Sequence, residues 1–378
     1  MPRVILSGGG TAGHVNPALA IGEIIKEAYP GTELLYVGTP DGIERRLAAE
    51  AKIAYEDIRV AGFQRKLTLK NIKRNITAAD YLIHSGKRAK EIIESFKPDL
   101  VIGTGGYVSE PIVHKAAAMG IRTVIHEQNA FPGVTTKLLS KKADRIMLTV
   151  GEAASAFRPR DRQRCVITGL PVRSGFVRDR LTKEEARKRL GLSEKICILS
   201  TGGTLGAGRI NETVSDLIAW YKESGLKVNH IHSYGKNGRG SFVASLKAKG
   251  IELKDHPELI VREFIDDMPT CMEAADLIIS RCGAGALTEI QAVGCGSVLI
   301  PSPIVAENHQ YYNGRVLSDA GAAILIEQKE LTSSLLINTV SELINDPARL
   351  RELGENASRL YIKDTPERIL GVIKEVLG

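Results

Sequence analysis

Short runs of apolar, mostly β-branched residues alternate with glycine-rich turns and helical stretches along the chain. This alternation predicts parallel sheets covered by helices, because buried strands of such sheets are apolar on both faces. Behind the first run, residues 17–29 carry apolar side chains on one helical face, so we expect a helix that starts at Pro17 and packs on the sheet. The predicted strands are RVIL at 3–6, ELLYVG at 33–38, DLVIG at 99–103, RTVIH at 122–126, DRIMLTV at 144–150, KICILS at 195–200 and DLIIS at 276–280.

The same layout occurs twice. A glycine turn at 8–13 precedes PDLVIGTGGYVSEP, and in the second half STGGTLGAGRIN precedes ADLIISRCGAGALTEI. We therefore predict an α/β protein with two Rossmann-like domains, 1–168 and 169–363, divided where TGLPVRSGF interrupts the pattern. The last helix, at about 364–378, is a candidate to return to the first domain. Ligands are expected at the carboxyl ends of the strands, in a cleft between the domains.

Composition and charge narrow the class of protein. With 43% hydrophobic and 25% charged residues, the chain is neither a disordered protein nor a polytopic membrane protein. It has no apolar run near the roughly 18 residues of a membrane span and no signal-peptide pattern, so we expect a cytoplasmic protein. Five scattered cysteines predict reduced, mostly buried thiols. The net charge of +7 favours acidic partners such as phosphates, anionic lipids or nucleic acids.

The opening turn fits G-x-G-x-x-G with Gly8, Gly10 and Gly13, the pattern of a dinucleotide site. A site for NAD also needs an acidic residue at the end of the second strand, but that strand ends in VGT, which leaves a dehydrogenase as a minor alternative. Glycine turns before helices favour anion binding, although each glycine can simply permit a tight turn. There are four such turns, two per domain, at 8–13, 103–106, 202–208 and 283–285.

Several longer motifs resemble one family. In chain order they are GGGTAGHVNPALAIG, GTGGYVSEP, HEQNAFPGVTTKLLS, GLPVR, GGTLGAGRIN, EFIDDM, SRCGAGALTEI and NHQYYNG. They resemble the MurG family of N-acetylglucosaminyltransferases, which act in peptidoglycan and cell wall biogenesis and so in cell shape and division. The resemblance implies a GT-B fold, with two Rossmann-like domains whose parallel sheets face each other across a deep cleft. It also implies an inverting hexosyltransferase that moves N-acetylglucosamine from UDP-N-acetylglucosamine to the C4 hydroxyl of lipid-linked N-acetylmuramyl-pentapeptide.

Two alternatives remain open. One is another GT-B enzyme that uses a UDP-sugar and a different lipid acceptor, or a UDP-sugar epimerase, against which the motif HEQNAFPG argues. The other is a nucleic-acid-binding protein, which the low aromatic content of 5% and the lack of a reader fold disfavour. We therefore expect no nucleic acid partner.

The resemblance also implies donor-binding residues in both domains. The chain departs from the family's usual pattern at Leu205, Gly285 and His309, which changes the fine geometry expected at the donor sugar. The implied set is Arg173 and Thr204 at the nucleotide end or its phosphates, Ile265 at the uracil, Glu289 at the ribose hydroxyls, Gln310 and Asn313 at the sugar hydroxyls, and Thr11, Gly13 and Asn129 from the first domain.

His14 is the best candidate for the general base, because imidazole titrates near neutral pH. The alternative is that His14 caps the turn or clamps a phosphate. Glu127 and Asn129 are expected to orient the acceptor sugar or share the proton transfer. The predicted cradle for the acceptor diphosphate consists of Gly10, Gly13, Gly105, Gly106 and Tyr107.

No cofactor or metal is expected for this chemistry. The chain lacks a D-x-D motif, and the adjacent acids of FIDDM do not have its spacing. We expect N–H groups and Arg173 to stabilise the charge of the leaving diphosphate instead.

A basic and apolar segment at 63–76 is the candidate membrane contact, and Lys137, Lys141 and Lys142 are candidates to extend it. At about 1 kcal/mol per basic residue near an anionic surface, partial engagement would hold the enzyme on the cytoplasmic face of the bacterial plasma membrane. The alternative is a solvated basic face with its apolar residues packed inward. The predicted patch contains Arg65, Lys66, Leu69, Lys70, Ile72, Lys73, Arg74 and Ile76.

Overall fold

The computed structural model describes residues 1–60, 84–172, 174–176 and 180–378. These residues form two compact units, which are Met1–Pro171 with Ile362–Gly378, and Val172–Tyr361. The sequence placed the boundaries after residues 168 and 363, and the structure places them after 171 and 361.

A parallel sheet of seven strands forms the centre of the first unit, in the order β3-β2-β1-β4-β5-β6-β7. Its five predicted strands are confirmed, while β3 and β7 were not predicted. Val4 and Leu6 face one apolar cluster and Ile5 faces the other, so both faces of the sheet are covered. The strands are β1 Arg3–Ser7, β2 Glu33–Gly38, β3 Ala54–Asp57, β4 Leu100–Gly103, β5 Arg122–Glu127, β6 Arg145–Leu148 and β7 Cys165–Ile167.

The first helix starts earlier than predicted. It begins at Ala12, because the Thr11 carbonyl already accepts hydrogen bonds from the N–H groups of His14 and Val15. The predicted start at Pro17 is therefore wrong, and Pro17 lies inside the helix. The helices of this unit before residue 171 are α1 Ala12–Ala28, α2 Ile43–Glu50, α3 Ser109–Ala118, α4 Val134–Leu139 and α5 Pro159–Arg162, and residues 84–96 are also helical.

The second unit has a parallel sheet of six strands in the order β10-β9-β8-β11-β12-β13. Both predicted strands of this half, β8 and β11, are confirmed. The strands are β8 Cys197–Thr201, β9 Asn229–Ser233, β10 Leu259–Arg262, β11 Leu277–Ser280, β12 Gly296–Leu299 and β13 Ala323–Leu325. The helices are α6 Lys183–Leu190, α7 Gly208–Ser224, α8 Ser241–Ala248, α9 Met268–Ala274, α10 Ala284–Val293, α11 His309–Asp319, α12 Ser333–Asn345 and α13 Pro347–Leu360.

The last helix, α14 Thr365–Leu377, belongs to the first unit. Ile369 and Ile373 are fully buried in the cluster that also contains Val4 and Leu6. Glu375 forms an ion pair with Arg145, the first residue of β6. The chain therefore leaves the first unit once and returns to complete its core.

All five cysteines are free thiols. Four are buried and one, Cys165, is partly buried. The expectation of unpaired, mostly buried thiols is confirmed.

Candidate active site

Two glycine loops meet at the carboxyl ends of the neighbouring strands β1 and β4. We call residues 8–13 and 103–107 the paired loops. The Gly9 N–H donates to the Gly105 carbonyl at 3.3 Å. A Cβ on Gly106 would lie 2.3 Å from the Gly9 carbonyl oxygen, and Gly106 has a φ of +75°. Only glycine fits this position, so the close approach of the two backbones explains part of the glycine pattern.

The N-terminus of α1 opens onto the paired loops. Gly10, Thr11 and Gly13 are exposed there. Thr11 makes no side-chain capping bond, and the first turn of the 17-residue helix has no acidic residue. The first N–H groups of a helix lack partners within it and carry the positive end of its dipole, so this end favours an anion. Tyr107 is 44% exposed, and its ring would lie 3.6 Å from a Cβ on Gly10.

The five residues predicted for the acceptor diphosphate are thus close together. All of them lie on the paired loops, beside the N-terminus of α1. The contact between the loops and the free helix end gives this part of the first unit the properties of an anion site.

His14 lies in the first turn of α1 and is partly buried. Its Nδ1 atom is 3.2 Å from the Thr104 carbonyl oxygen and 3.1 Å from Gln128 Oε1. A carbonyl oxygen can only accept, so Nδ1 carries the proton of the neutral ring and Nε2 keeps its lone pair. The Thr104 hydroxyl also donates to the main-chain carbonyl of His14 at 2.7 Å, which fixes the backbone. The imidazole therefore offers Nε2 as a proton acceptor.

Glu127 is tied to its own loop. Its carboxylate is 2% exposed. One oxygen accepts from the main-chain and side-chain N–H groups of Asn129, both at 3.0 Å. The other accepts from the Gly133 N–H at 3.2 Å. These bonds favour an orienting role for Glu127 and fix the Asn129 amide at the end of β5.

In the second unit, the loop at 202–207 follows β8 and leads into α7. Thr204 is exposed and Leu205 is 62% exposed. The N–H groups of Lys236 and Asn237 donate to the carbonyls of Thr204 and Leu205, at 3.3 and 2.9 Å, and so hold the loop in place. The start of α7 has no side-chain cap and no acidic residue in its first turn. This is a second helix end that favours an anion.

Three further predicted donor residues lie beyond the carboxyl ends of β11 and β12. The Asn313 side chain is 4% exposed and donates to the Cys282 carbonyl at 3.1 Å. Gln310 Oε1 accepts from the Ser302 N–H at 2.9 Å. These bonds connect α11 to the ends of both strands. Glu289 is partly buried on α10, the helix that follows β11.

The side chain of Ile265, the residue predicted at the uracil, is buried. Its side chain is 2% exposed and packs in an apolar core cluster of the second unit. A contact with a base at this position would therefore be made by the Ile265 backbone. Arg173 and all eight residues of the predicted membrane patch lie outside the described residues.

Within the described ranges, no group of three histidine, cysteine, aspartate or glutamate side chains is arranged to hold a metal ion. No helix in the same ranges combines the length and the apolar character of a membrane span.

The sequence did not single out Thr104 and Gln128, the two partners of His14. Both stand at the carboxyl ends of strands, in the motifs GTGGY and HEQNAFPG. A polar residue directly after a buried strand is the signal that points to them, because ligands bind at this edge of a parallel sheet.

Known proteins match the chain over its length. The glycosyltransferase family 28 N-terminal domain matches residues 4–148, and the C-terminal domain of that family matches residues 197–369. A UDP-N-acetylglucosamine-N-acetylmuramyl-(pentapeptide) pyrophosphoryl-undecaprenol N-acetylglucosamine transferase of Acetivibrio thermocellus is 40% identical over 376 residues, which are 99% of this chain and 98% of the relative.

Solved structures agree with these matches. The crystal structure of Acinetobacter baumannii MurG is 27% identical with a TM-score of 0.77, and the match covers 99% of this chain and 100% of that one. A UDP-GlcNAc 2-epimerase of Neisseria meningitidis, bound to UDP-GlcNAc, shares the fold at 14% identity, with a TM-score of 0.66 over 99% of this chain and 100% of its own. The predicted α/β fold of GT-B type, with two parallel sheets, is confirmed.

Proposed function

This chain belongs to the family of the UDP-N-acetylglucosamine-N-acetylmuramyl-(pentapeptide) pyrophosphoryl-undecaprenol N-acetylglucosamine transferases, and we propose that it catalyses their reaction in peptidoglycan synthesis. In this reaction N-acetylglucosamine moves from UDP-N-acetylglucosamine to the C4 hydroxyl of the lipid-linked muramyl-pentapeptide. The observation that carries the proposal is the position of His14 in the first turn of α1, with its Nδ1 beside two carbonyl oxygens and the uncapped start of the helix next to it.

The reaction is a single displacement. His14 Nε2 takes the proton of the C4 hydroxyl while the C4 oxygen attacks the anomeric carbon of the donor sugar. The bond from that carbon to the diphosphate breaks, and its electron pair leaves with UDP. One displacement inverts the anomeric configuration, and a positioned base of this kind contributes about 10² to 10⁴ in rate.

The paired loops hold the diphosphate of the acceptor. The free N–H groups at the start of α1 donate to its oxygens, and the helix dipole favours its charge. The exposed Tyr107 lies at the same loops and adds a hydroxyl donor. Glu127 keeps the Asn129 amide directed at the acceptor sugar.

The second unit binds the donor. The N-terminus of α7, Thr204 and Arg173 stabilise the diphosphate as it leaves, so that no metal ion is required. The Glu289 carboxylate accepts hydrogen bonds from the ribose hydroxyls. Gln310 and Asn313 contact the sugar, and the backbone at Ile265 contacts the uracil. Thr11 and Gly13 of the first unit contact the donor during transfer.

The enzyme acts at the cytoplasmic face of the membrane that carries its acceptor. Helix α4 supports this proposal, because Val134 and Leu138 are 53% and 50% exposed one turn apart. Lys137 lies between them, and Lys141 and Lys142 are exposed just after the helix. Apolar side chains flanked by lysines suit an anionic lipid surface. We propose that the basic and apolar segment at 63–76 also binds anionic lipid.

The proposal is tested with purified protein, UDP-N-acetylglucosamine labelled in the sugar, and a short-chain muramyl-pentapeptide lipid. We expect one labelled disaccharide lipid for each UDP released. A reaction without acceptor serves as the control, because an epimerase alters the donor without it. Conversion of the donor alone, or transfer to another lipid in preference to the muramyl lipid, would overturn the proposal.

A further inference from the structure

Two buried side chains connect His14 to the main chain of Gly169. The His126 Nε2 atom is 3.0 Å from the Gly169 carbonyl oxygen. The Gln128 side-chain nitrogen is 3.0 Å from His126 Nδ1, and the Gln128 Oε1 atom is 3.1 Å from His14 Nδ1. His126 and Gln128 are 0% and 4% exposed. We call this chain of hydrogen bonds the His126–Gln128 relay.

The Gly169 carbonyl determines which atom donates and which accepts in each hydrogen bond of the relay. The Gly169 carbonyl can only accept, so His126 carries its proton on Nε2. Burial lowers the pKa of His126 and keeps the ring neutral, which leaves Nδ1 as an acceptor. The Gln128 amide must then direct its NH₂ group at His126, where the second N–H donates to the His126 main-chain carbonyl at 3.0 Å. Its oxygen is left to face His14.

One charged group also acts on this relay. Glu127 favours the protonated form of His126, but to a smaller extent than burial disfavours it. Both of its oxygens accept hydrogen bonds from its own loop. The relay therefore stays neutral, and its polarity is set by main-chain carbonyls.

We propose that Gln128 and His126 are positioning residues that hold His14 in the tautomer with the proton on Nδ1. This inference rests on the proposed function, in which His14 is the general base. A neutral imidazole with its proton on Nε2 cannot take the proton of the acceptor hydroxyl at that atom. The Thr104 carbonyl supports the same tautomer, and the relay adds a second acceptor and fixes the ring.

The anchor of the relay is itself rigid. Gly169 has a φ of +78°, and a Cβ there would lie 2.4 Å from Thr365 Oγ1 and 3.0 Å from Ile362 Cβ. Only glycine fits where the returning C-terminal segment passes. The Gly169 N–H also donates to the Leu148 carbonyl at 3.1 Å. The Gly169 carbonyl, which determines the position of the proton on His126, is therefore held in place by the C-terminal segment and by the hydrogen bond to Leu148.

The tautomer can be measured directly on the full-length protein. Histidine labelled with ¹⁵N is observed by NMR at a pH where imidazoles are neutral, and His14→Gln identifies the His14 signal by its loss. We expect the proton on Nδ1 in the wild type and in Gln128→Glu, because a carboxylate also accepts from Nδ1. In Gln128→Met the other tautomer should become populated. A wild-type His14 with its proton on Nε2 would overturn the proposal.

Measurements of kcat and of its pH profile distinguish a positioning role of Gln128 from a packing role. A methionine side chain is similar in size to glutamine but cannot form the hydrogen bonds of the relay. Gln128→Met should therefore lower kcat about tenfold to a hundredfold, with KM nearly unchanged. Gln128→Glu keeps an acceptor for His14 but loses the N–H groups that donate to His126, so it should recover only part of kcat. It should also move the acidic limb of the pH profile to higher pH, because the new carboxylate favours imidazolium. Equal losses in both variants, with no change in the pH profile, would contradict the proposal.

A matched control distinguishes the effect of losing the relay from the general destabilisation that removal of a buried amide causes. Gln291 is 7% exposed in the second unit, and Gln291→Met should keep the wild-type kcat.

The experiments distinguish failure of the proposed function from failure of the proposed relay. A wild type with the proton on Nδ1 that transfers no sugar overturns the function and supports the relay. A wild type that transfers sugar with the proton on Nε2 overturns only the relay.

Discussion

His14 has one ring nitrogen bound to acceptors and the other left as a proton acceptor. We expect His14→Ala to lower kcat about a hundredfold or more, since a general base contributes about 10² to 10⁴. Initial rates against both substrates measure this effect. His256→Ala, which removes a histidine paired with Glu258 in the second unit, is the control and should keep the wild-type rate. A rise in KM alone would instead identify His14 as a phosphate clamp.

We expect two other histidines to make the second unit sensitive to acid. His230 and His232 are fully buried and both contact the Ser200 hydroxyl at 2.7 Å. Burial lowers the pKa of His230 to about 3 and that of His232 well below its usual value. In the unfolded chain a histidine takes up its proton near pH 6.5.

Between these two values the unfolded state binds protons that the folded state does not. The free energy of unfolding should therefore fall as the pH is lowered from about 6.5 towards 3, by a few kcal/mol for His230. Urea titrations at a series of pH values measure the slope. His230→Gln should flatten it in this window, and an unchanged slope in that variant would show that other groups dominate.

The residues of the candidate site differ in how far the sequence could predict them. His14 can be predicted from the sequence because it directly follows the glycine loop in GGGTAGH. Gln128 was not, because its partner lies 114 positions away and only the pairing of β1, β4 and β5 brings them together. Ile265 stays a predicted uracil contact, and the structure adds that its buried side chain leaves the backbone to make that contact, which its position in a motif does not reveal.

At the scale of elements, apolar runs predicted seven strands correctly. The strand β9, with the sequence NHIHS, was missed because three of its five residues carry ring or amide side chains and yet every residue is buried. Ser200 contacts both histidines and Tyr221 contacts His230, while among the described residues His232 Nε2 has no hydrogen-bond partner. The carbonyls of residues 193 and 195 accept from the Asn229 amide. Such pairing depends on tertiary contacts, which a local hydrophobic pattern does not contain.

The helix α14 is expected to contribute strongly to the stability of the first unit. Ile373 is fully buried against strand residues at the opposite end of the sequence. Ile373→Ala should lower the free energy of unfolding by about 2–5 kcal/mol, because it leaves a cavity in a packed core. Lys374→Ala, at the next, exposed position of the same helix, should change it by about 0.5 kcal/mol or less. Urea denaturation compares the two, and similar losses would contradict the assigned packing.

At the scale of the whole molecule, the doubled layout of the sequence corresponds to two units built on one plan. In each unit a strand ends in a glycine loop and leads into a long helix with no acidic residue in its first turn. Two anion sites of this kind fit a reaction between two diphosphate-linked substrates. The sequence shows this plan because strand, loop and helix are contiguous, whereas the hydrogen bonds that orient the site are not.

The net charge of +7 predicts that the protein binds to anionic membranes. If the exposed residues of α4 and the lysines around it contact lipid, alanine at Lys137, Lys141 and Lys142 should weaken binding to vesicles of phosphatidylcholine with phosphatidylglycerol. At about 1 kcal/mol for each lysine, the loss is up to about a hundredfold at low salt. Alanine at Lys227, Lys247 and Lys254, all exposed on the second unit, removes the same charge and is the matched control. Co-sedimentation measures both variants. A loss specific to the first set, which shrinks as salt screens the charges, supports a defined contact surface, while equal losses would mean that only net charge attracts the protein to the membrane.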